Sequence, residues 1–310
     1  FEDKNLLKVM TDAIKHRGPN SAGFYTDKGI SLGSRRLSII DLSSAGNQPI
    51  YNEDKSIALV FNGEIFNFKE IRQKLEKKHS FASNTDGEVI VHSYEEYGIN
   101  CLNHFNGFWG FALYDSKKKL LFISRDRLGL KPLYYYYDGS KFLFASEIKC
   151  LLKDKSVKRH INKDAISYYM TYRYIPSDLT IFTEIRKLKP GHCILYDLKT
   201  KKPKIQKYWD IPLGLKERNE ALVQQEIINL LKDSVEKRLI SDVPLGVYLS
   251  GGIDSSSIVA MMKNFTDDIK TYSLAFAHDR TGNELKYAKS VSEYFNTRHT
   301  EITIDTEIIK

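Results

Sequence analysis

The chain has 310 residues and a formal net charge of +8, with 42% hydrophobic and 28% charged residues. Its length exceeds that of one typical domain and its composition is that of an ordinary globular protein, so we expect two domains. No apolar run of about 18 residues occurs, which argues against a transmembrane helix. The lysines are dispersed without a recognition motif, so we expect neither nucleic acid nor a membrane as partner.

The three cysteines, Cys101, Cys150 and Cys193, are odd in number and irregularly spaced. This pattern argues against a disulfide framework and against a zinc site, and it favours the cytoplasm as the location. None of the three lies in the sequence signature of a catalytic nucleophile.

Residues 23–211 carry short apolar or alternating runs separated by turn residues, a pattern typical of β-strands. Strands are predicted at residues 30–32, 57–61, 110–114, 120–125, 133–137, 141–145 and 193–197. Apolar residues at helical spacing predict helices at residues 67–79 and 87–97. Strands with helices outside them predict a layered α+β domain.

The pattern changes near residue 212, beyond which helices and strands alternate. A long amphipathic helix is predicted at residues 219–239, with one apolar side formed by Leu222, Ile227, Ile228, Leu231 and Val235. Strands are then predicted at residues 243–249, 271–276 and 300–304, and helices at residues 254–264 and 284–295. This alternation predicts a parallel, doubly wound sheet, so we divide the chain into domains at 1–211 and 212–310.

A Ser-Gly-Gly turn leads from an apolar strand directly into a helix. Gly251 and Gly252 allow several backbone N–H groups to converge on one anion at the positive end of the helix dipole. Further hydroxyl donors come from Ser250, Ser255 and Ser256. Asp254 would sit beside a phosphate only if a cation bridged them, which makes it a candidate Mg²⁺ ligand. The alternative is a tight turn in which Asp254 caps the helix.

The string from Ser250 to Ser256 resembles the pyrophosphate loop of ATP pyrophosphatases, which cleave ATP between the α and β phosphates and adenylate a substrate. The Gly-Lys-Ser/Thr ending of a Walker A loop is absent. The resemblance implies ATP and Mg²⁺ as cofactors, with Tyr248 and Leu274 flanking the adenosine.

A series of motifs precedes this loop. They are His-Arg-Gly-Pro at 16–19, Arg-Leu-Ser-Ile-Ile-Asp at 36–41, Asn-Gly-Glu-Ile at 62–65, Thr-Asp-Gly-Glu-Val-Ile at 85–90, Ser-Arg-Asp-Arg-Leu-Gly-Leu-Lys-Pro-Leu-Tyr at 124–134, Ser-Glu-Ile-Lys at 146–149 and Leu-Lys-Pro-Gly at 188–191. Their order resembles class II glutamine amidotransferases and, with the loop, the asparagine synthetase family. The resemblance implies an N-terminal nucleophile hydrolase-type α/β/β/α domain followed by the start of an ATP-pyrophosphatase domain.

Free glutamine presents a carboxylate, an ammonium and an amide. Arg36 offers a planar fork suited to the carboxylate, and Asp86 and Glu64 offer anionic groups suited to the ammonium. By resemblance, Asn62 and Gly63 form the oxyanion hole, where donors hold the oxygen of the tetrahedral intermediate. The resemblance also implies that the pocket is lined by backbone groups of Arg36, Leu37, Ser38, Ile39 and Ile40.

Single residues also admit structural interpretations. Arg36 could be a surface arginine, and Asp86 could cap a helix. Asn62 and Gly63 together could form a hairpin turn. The number and order of the motifs favour the functional interpretation.

The family nucleophile is a cysteine at the mature N-terminus, whose own amine is the base. By resemblance, the chain is expected to begin inside its first helix, predicted at residues 6–16, without that cysteine, and so not to hydrolyse glutamine by the family mechanism. Most of the synthetase domain is expected to lie beyond Lys310, and no residue present supports aspartate specificity.

The complete protein is therefore expected to be an ATP-dependent carbon–nitrogen ligase that makes asparagine from glutamine, aspartate and ATP. One alternative is a related amidotransferase acting on another carboxylate, for instance in surface-polysaccharide biosynthesis. Another is a non-catalytic module that binds a nucleotide or glutamine. Oligomeric state stays open, with a homodimer as one arrangement.

Overall fold

The chain folds into two units, Phe1–Leu213 and Gly214–Lys310. The structure, a computed structural model, describes residues 2–214, 218–276 and 284–304. Within these ranges, no helix combines the length and the apolar character that crossing a membrane requires.

The first unit alternates between strands and helices. Its strands are β1 (Ser21–Asp27), β2 (Ile30–Arg36), β3 (Ile50–Tyr51), β4 (Ile57–Ile65), β5 (Gly107–Asp115), β6 (Leu120–Arg125), β7 (Tyr134–Tyr137), β8 (Phe142–Ala145), β9 (Ile185–Lys187), β10 (His192–Asp197) and β11 (Lys202–Lys207). Its α-helices are α1 (Lys4–Asp12), α2 (Phe68–Leu75), α3 (Glu88–Tyr97), α4 (Ile148–Leu151) and α5 (Lys163–Tyr172).

Two layers of sheet enclose the core of this unit. One layer is a six-stranded antiparallel sheet in the order β11-β10-β6-β5-β4-β3, and the other comprises the β1-β2 hairpin and the β8-β7-β9 sheet. Between the layers, Leu32 of β2 packs with Val60, Ala112 and Ile123 of the large sheet. Their alternate side chains face this core because successive strand residues point to opposite sides.

Helices cover the outer face of each sheet layer. Met10 of α1 and Leu151 of α4 pack against Tyr136 of β7. On the other side, Tyr94 of α3 stacks on Phe122 of β6 with ring centroids 5.9 Å apart. The predicted α/β/β/α layering is therefore confirmed.

Short or exposed elements escaped prediction because they lack a clear apolar pattern. Strands β1, β3, β9 and β11 and helices α4 and α5 were not predicted, and in α5 only Ala165 is buried. The helix predicted at residues 6–16 is displaced. It is α1 instead, which begins earlier because the Asp3 carboxylate accepts a hydrogen bond from the Leu6 N–H as its N-cap.

The second unit contains a parallel sheet in the order β12-β13-β14, as predicted. Its elements are α6 (Glu220–Lys237), β12 (Val247–Tyr248), α7 (Ile253–Met262), β13 (Lys270–Phe276), α8 (Glu284–Phe295) and β14 (Arg298–Ile304). The strand predicted at residues 243–249 is shorter than expected. Pro244 has no N–H to donate to a sheet, so pairing begins only after it.

The predicted apolar side of α6 is only partly covered by described residues. Val235 is buried and Leu231 packs in the same cluster as Met262 of α7. Leu222 and Ile227, nearer the start of α6, are more than half exposed. The helical period was predicted correctly, whereas the extent of burial depends on neighbours that a local pattern does not reveal.

Candidate functional site

A cavity of about 1060 Å³ lies in the first unit and is lined by residues from several elements. It brings together eight of the nine residues predicted to bind glutamine, namely Arg36, Leu37, Ile39, Ile40, Asn62, Gly63, Glu64 and Asp86. Ser38 is not among the lining residues, and its N–H donates to Asn20 Oδ1 at 3.1 Å. The sequence motifs at 36–41, 62–65 and 85–90 therefore meet at one cavity.

Asn62 and Gly63 lie within β4, opposite Gly110 and Trp109 of β5. A hairpin turn is therefore excluded for this pair. A β carbon at Gly63 would lie 2.2 Å from the carbonyl oxygen of Phe108, so only glycine fits at this position. Because Gly63 has no side chain, the backbones of β4 and β5 approach closely beside the cavity.

The side-chain amide of Asn62 carries a buried donor without a partner. Among the described residues, no group accepts a hydrogen bond from Asn62 Nδ2. Leaving a buried donor unpaired costs about 1–3 kcal/mol. A donor held in that state on a cavity wall is suited to an acceptor that arrives with a ligand.

The backbone before Asn62 is held by Gln48, a residue that belongs to none of the sequence motifs. The side-chain amide of Gln48 donates to the Phe61 carbonyl and accepts from the Phe61 N–H, both at 2.8 Å. These two hydrogen bonds engage the backbone N–H and carbonyl of Phe61, the residue before Asn62 in β4. Only the tertiary structure reveals it, because Gln48 lies 13 residues from Phe61.

Asp86 connects the start of α3 to the end of β4. Its carboxylate accepts a hydrogen bond from the Ile65 N–H at 2.8 Å. The N-cap position of α3 is Gly87, and no side chain of a described residue caps this helix end, so the capping interpretation of Asp86 is excluded. Burial raises the pKa of the Asp86 carboxyl to about 6, although backbone N–H donors and Arg36 partly offset this.

Arg36 is 7% exposed, which excludes a surface arginine. Its Nη1 donates to the Ser43 carbonyl at 3.0 Å and its Nη2 to the Ile40 carbonyl at 3.1 Å. A β carbon at Gly46 would lie 2.2 Å from Nη2, so glycine leaves room for the guanidinium. Both terminal nitrogens of Arg36 donate to carbonyl groups of the loop at residues 40–47. Binding of the glutamine carboxylate by this guanidinium stays a prediction.

Lys131 is a further cavity-lining residue that sequence reasoning missed. Burial lowers the pKa of its ammonium group, and its Nζ lies 4.4 Å from the ring centre of Phe108. Its backbone N–H donates to Asp126 Oδ2 at 2.9 Å, which fixes the loop that carries it. The sequence signal was its place in the motif at 124–134.

None of the three cysteines is poised as a nucleophile. All three are free and buried. Burial raises the pKa of the Cys150 and Cys193 thiols to about 11, and it raises the pKa of the Cys101 thiol as well.

At pH 8 we expect the three cysteines of the folded chain to react with iodoacetamide roughly 10²-fold more slowly than those of the guanidinium-unfolded chain, since the thiolate is the reactive form. Rapid labelling of the folded chain would contradict this arrangement.

In the second unit, the Ser-Gly-Gly turn connects β12 to α7 as predicted. Gly251 has φ +79°, and Gly252 is the N-cap of α7 without a side-chain cap bond. Asp254 lies inside the first turn of α7, so the interpretation of Asp254 as the cap is excluded. Within the described part of the chain, the turn therefore leaves the first N–H groups of α7 without a side-chain cap.

The serine hydroxyls of this turn differ in their partners. Ser250 Oγ lies 3.1 Å from Ser255 Oγ, whereas Ser256 Oγ is buried without a partner among the described residues. Tyr248 is 85% exposed and Leu274 is 50% exposed, so both side chains are accessible beside the turn. The residues predicted to contact the phosphates and those predicted to flank the adenosine therefore lie on neighbouring segments.

Comparisons with known proteins agree with both units. A family model described as a glutamine amidotransferase domain matches residues 1–209, and one described as asparagine synthase matches residues 226–309. The fold resembles a solved structure of the allosteric regulatory enzyme of purine biosynthesis, with a TM-score of 0.52 at 14% identity over 98% of this chain and 78% of that one. At this identity the likeness concerns the fold alone.

Curated relatives are similar over nearly the whole chain. It is 39% identical to a Methanocaldococcus jannaschii relative over 96% of this chain, and 35% identical to asparagine synthetase [glutamine-hydrolyzing] 1 of Bacillus subtilis over 89%. The chain spans 61% and 43% of the lengths of these relatives. With the amidotransferase match covering more than half of its residues, the chain belongs to the family of proteins with a glutamine amidotransferase domain.

Proposed function

We propose that the first unit binds glutamine and that the full-length gene product is a glutamine-dependent asparagine synthetase. Glutamine hydrolysis would supply ammonia, which attacks an aspartyl-AMP made from ATP and aspartate. The unpartnered Nδ2 of Asn62 carries this proposal, because it lies on the same cavity wall as the buried carboxylate of Asp86. The three free, buried cysteines favour the cytoplasm as its location.

Each group in the cavity has a distinct part in this proposal. The ionised carboxylate of Asp86, with Glu64 nearby on the lining, binds the ammonium of glutamine. Asn62 Nδ2 and the Gly63 N–H donate to the oxygen on which negative charge develops when the amide is attacked. Such donors accelerate the reaction because they need no reorganisation as the charge forms.

For the second unit we propose ATP binding at the turn from Ser250 to Ser256, with Mg²⁺ held by Asp254. The unpartnered hydroxyl of Ser256 and the uncapped start of α7 fit a phosphate, which accepts hydrogen bonds from such donors. Bound Mg²⁺ would neutralise phosphate charge beside the Asp254 carboxylate. The exposed Tyr248 and Leu274 would flank the adenosine.

Glutamine binding should weaken as pH falls through about 6. The pKa of Asp86 is raised to about 6, so its carboxyl becomes protonated below that pH, whereas an ordinary aspartate stays ionised down to about 4. Since only the ionised form attracts the ammonium, the Kd for glutamine should rise about tenfold per pH unit well below 6. Calorimetry between pH 5 and 8 measures this dependence.

The variant Asp86→Asn serves as the control for this titration. It should bind glutamine weakly at every pH and lose the pH dependence, because its amide does not titrate in this range. A Kd for the unaltered chain that stays constant from pH 8 to pH 5 would show that Asp86 is not the ammonium-binding group.

Two assays of the full-length gene product test the proposed function. With glutamine and ATP present, we expect pyrophosphate release to depend on aspartate and asparagine to form in equal amount. Pyrophosphate release that requires a different carboxylate would support the related amidotransferase instead. Binding of both ligands without turnover would support the non-catalytic module.

A further inference from the structure

Two histidines and two glutamates outside the glutamine cavity converge at one point in the first unit. They are Glu53, His79, His92 and Glu95, and one ligand atom from each lies within 4.8 Å of all the others. His92 and Glu95 lie on α3, whereas His79 follows α2 and Glu53 lies between β3 and β4. None of the four lines the cavity.

The distances between these atoms suit a small cation. His79 Nδ1 lies 3.5 Å from Glu53 Oε1 and 3.5 Å from Glu95 Oε2. His92 Nδ1 lies 2.8 Å from Glu95 Oε2 and 3.9 Å from Glu53 Oε2. Ligands about 2.0–2.1 Å from a tetrahedral zinc ion are separated from each other by about 3.3 Å, which lies within this spread.

A further carboxylate lies near the far nitrogen of each imidazole. His79 Nε2 lies 3.2 Å from Glu96 Oε1, within hydrogen-bond distance. His92 Nε2 lies 3.7 Å from Glu88 Oε1 and has no hydrogen-bond partner among the described residues. A carboxylate that accepts from Nε2, as Glu96 can at His79, leaves the Nδ1 lone pair facing the shared point, an arrangement that supports metal-binding histidines in general.

The two glutamates at the shared point are themselves oriented by hydrogen bonds. Glu95 Oε1 accepts from Asn52 Nδ2 at 2.8 Å, and Glu53 Oε1 accepts from the Ser80 N–H at 2.8 Å. Each glutamate therefore keeps Oε2 directed towards His92. Pre-oriented carboxylates lose less conformational entropy when they bind a ligand.

We propose that Glu53, His79, His92 and Glu95 bind one divalent transition-metal ion of the zinc type. Mixed imidazole and carboxylate donors favour zinc over the hard cations, which prefer oxygen ligands alone. The side chain of His92 is 1% exposed and that of Glu53 is 40% exposed, so the ion enters from the side of Glu53. The site is separate from the Mg²⁺ proposed at Asp254.

The first test is titration of the full-length gene product with Co²⁺ and Zn²⁺ in the absence of nucleotide. We expect one equivalent of Co²⁺ to bind with the visible spectrum of a four-coordinate site and to be displaced by Zn²⁺. A protein that acquires no such spectrum would overturn the proposal.

Variants assign the ligands. His79→Ala and Glu95→Gln should each weaken Co²⁺ binding more than tenfold, and Glu96→Gln, which alters only the carboxylate near His79 Nε2, about 10–100-fold. The matched control is His160→Ala, because His160 is an exposed histidine that also pairs with a glutamate, Glu184. Glu95→Gln preserves shape, so binding unchanged in that variant would refute the site even if His79→Ala failed to fold.

Discussion

Replacing Asn62 by alanine should lower kcat for glutamine hydrolysis by the full-length gene product about 10²–10³-fold, or about 2.7–4 kcal/mol of transition-state stabilisation. We propose that the Asn62 donor stabilises charge that exists only after the amide is attacked, so KM should change little. Steady-state kinetics measured by glutamate release test this expectation. A rise in KM with unchanged kcat would instead place Asn62 in ground-state binding.

Stability provides an independent measure of the same change. Because Nδ2 of Asn62 is buried without a partner among the described residues, its removal should leave the free energy of unfolding unchanged or higher. Asn103→Ala is the matched control, since Asn103 is exposed and should affect neither rate nor stability. A loss of activity accompanied by a large loss of stability would indicate a structural asparagine.

Gly251→Ala should destabilise the second unit and abolish aspartate-dependent pyrophosphate release. Gly251 has φ +79°, a conformation that costs alanine about 1–2 kcal/mol. The added β carbon would also lie 2.5 Å from the backbone N of Ala288 and 2.5 Å from the carbonyl carbon of Tyr287. The backbone atoms of α8 cannot rotate away as a side chain can, so the turn from Ser250 to Ser256, for which we propose phosphate binding, must move.

The adjacent glycine supplies the control for this prediction. At Gly252, where φ is −73°, the nearest atom to an added β carbon is Ser250 Oγ at 3.4 Å, an ordinary contact. Gly252→Ala should therefore fold normally, and chemical denaturation followed by intrinsic fluorescence compares the two variants. Equal stability of both would show that the turn does not depend on the close approach to α8.

Elements with a strong local pattern could be predicted from the sequence, and those that depend on distant partners could not. The bounds of β6 and α8 agree with the prediction because each carries a regular apolar pattern within one segment. The two-residue strand β3 has too few residues to show a period. Its position is set by pairing with β4.

The same distinction holds at the candidate sites. Motif order placed Asn62 and Asp86 together, and both line the cavity. The engagement of Arg36 by the loop at residues 40–47 was not predictable, because it depends on how that loop folds back. The His-Glu cluster has no ligand spacing of a known metal motif, since its members come from three separate segments.

The hydrogen bond from the Ile65 N–H to Asp86 has a consequence for the choice of amide donor. Asn62, proposed to bind the amide oxygen, and Ile65, which anchors the carboxylate proposed to bind the ammonium, lie three residues or about 10 Å apart along β4, so their spacing is fixed by one strand. Asparagine, the proposed product, is one methylene shorter than glutamine and fits this fixed spacing less well by about 1–3 kcal/mol. The enzyme would therefore be protected, about 10–200-fold, against consuming the amide it makes.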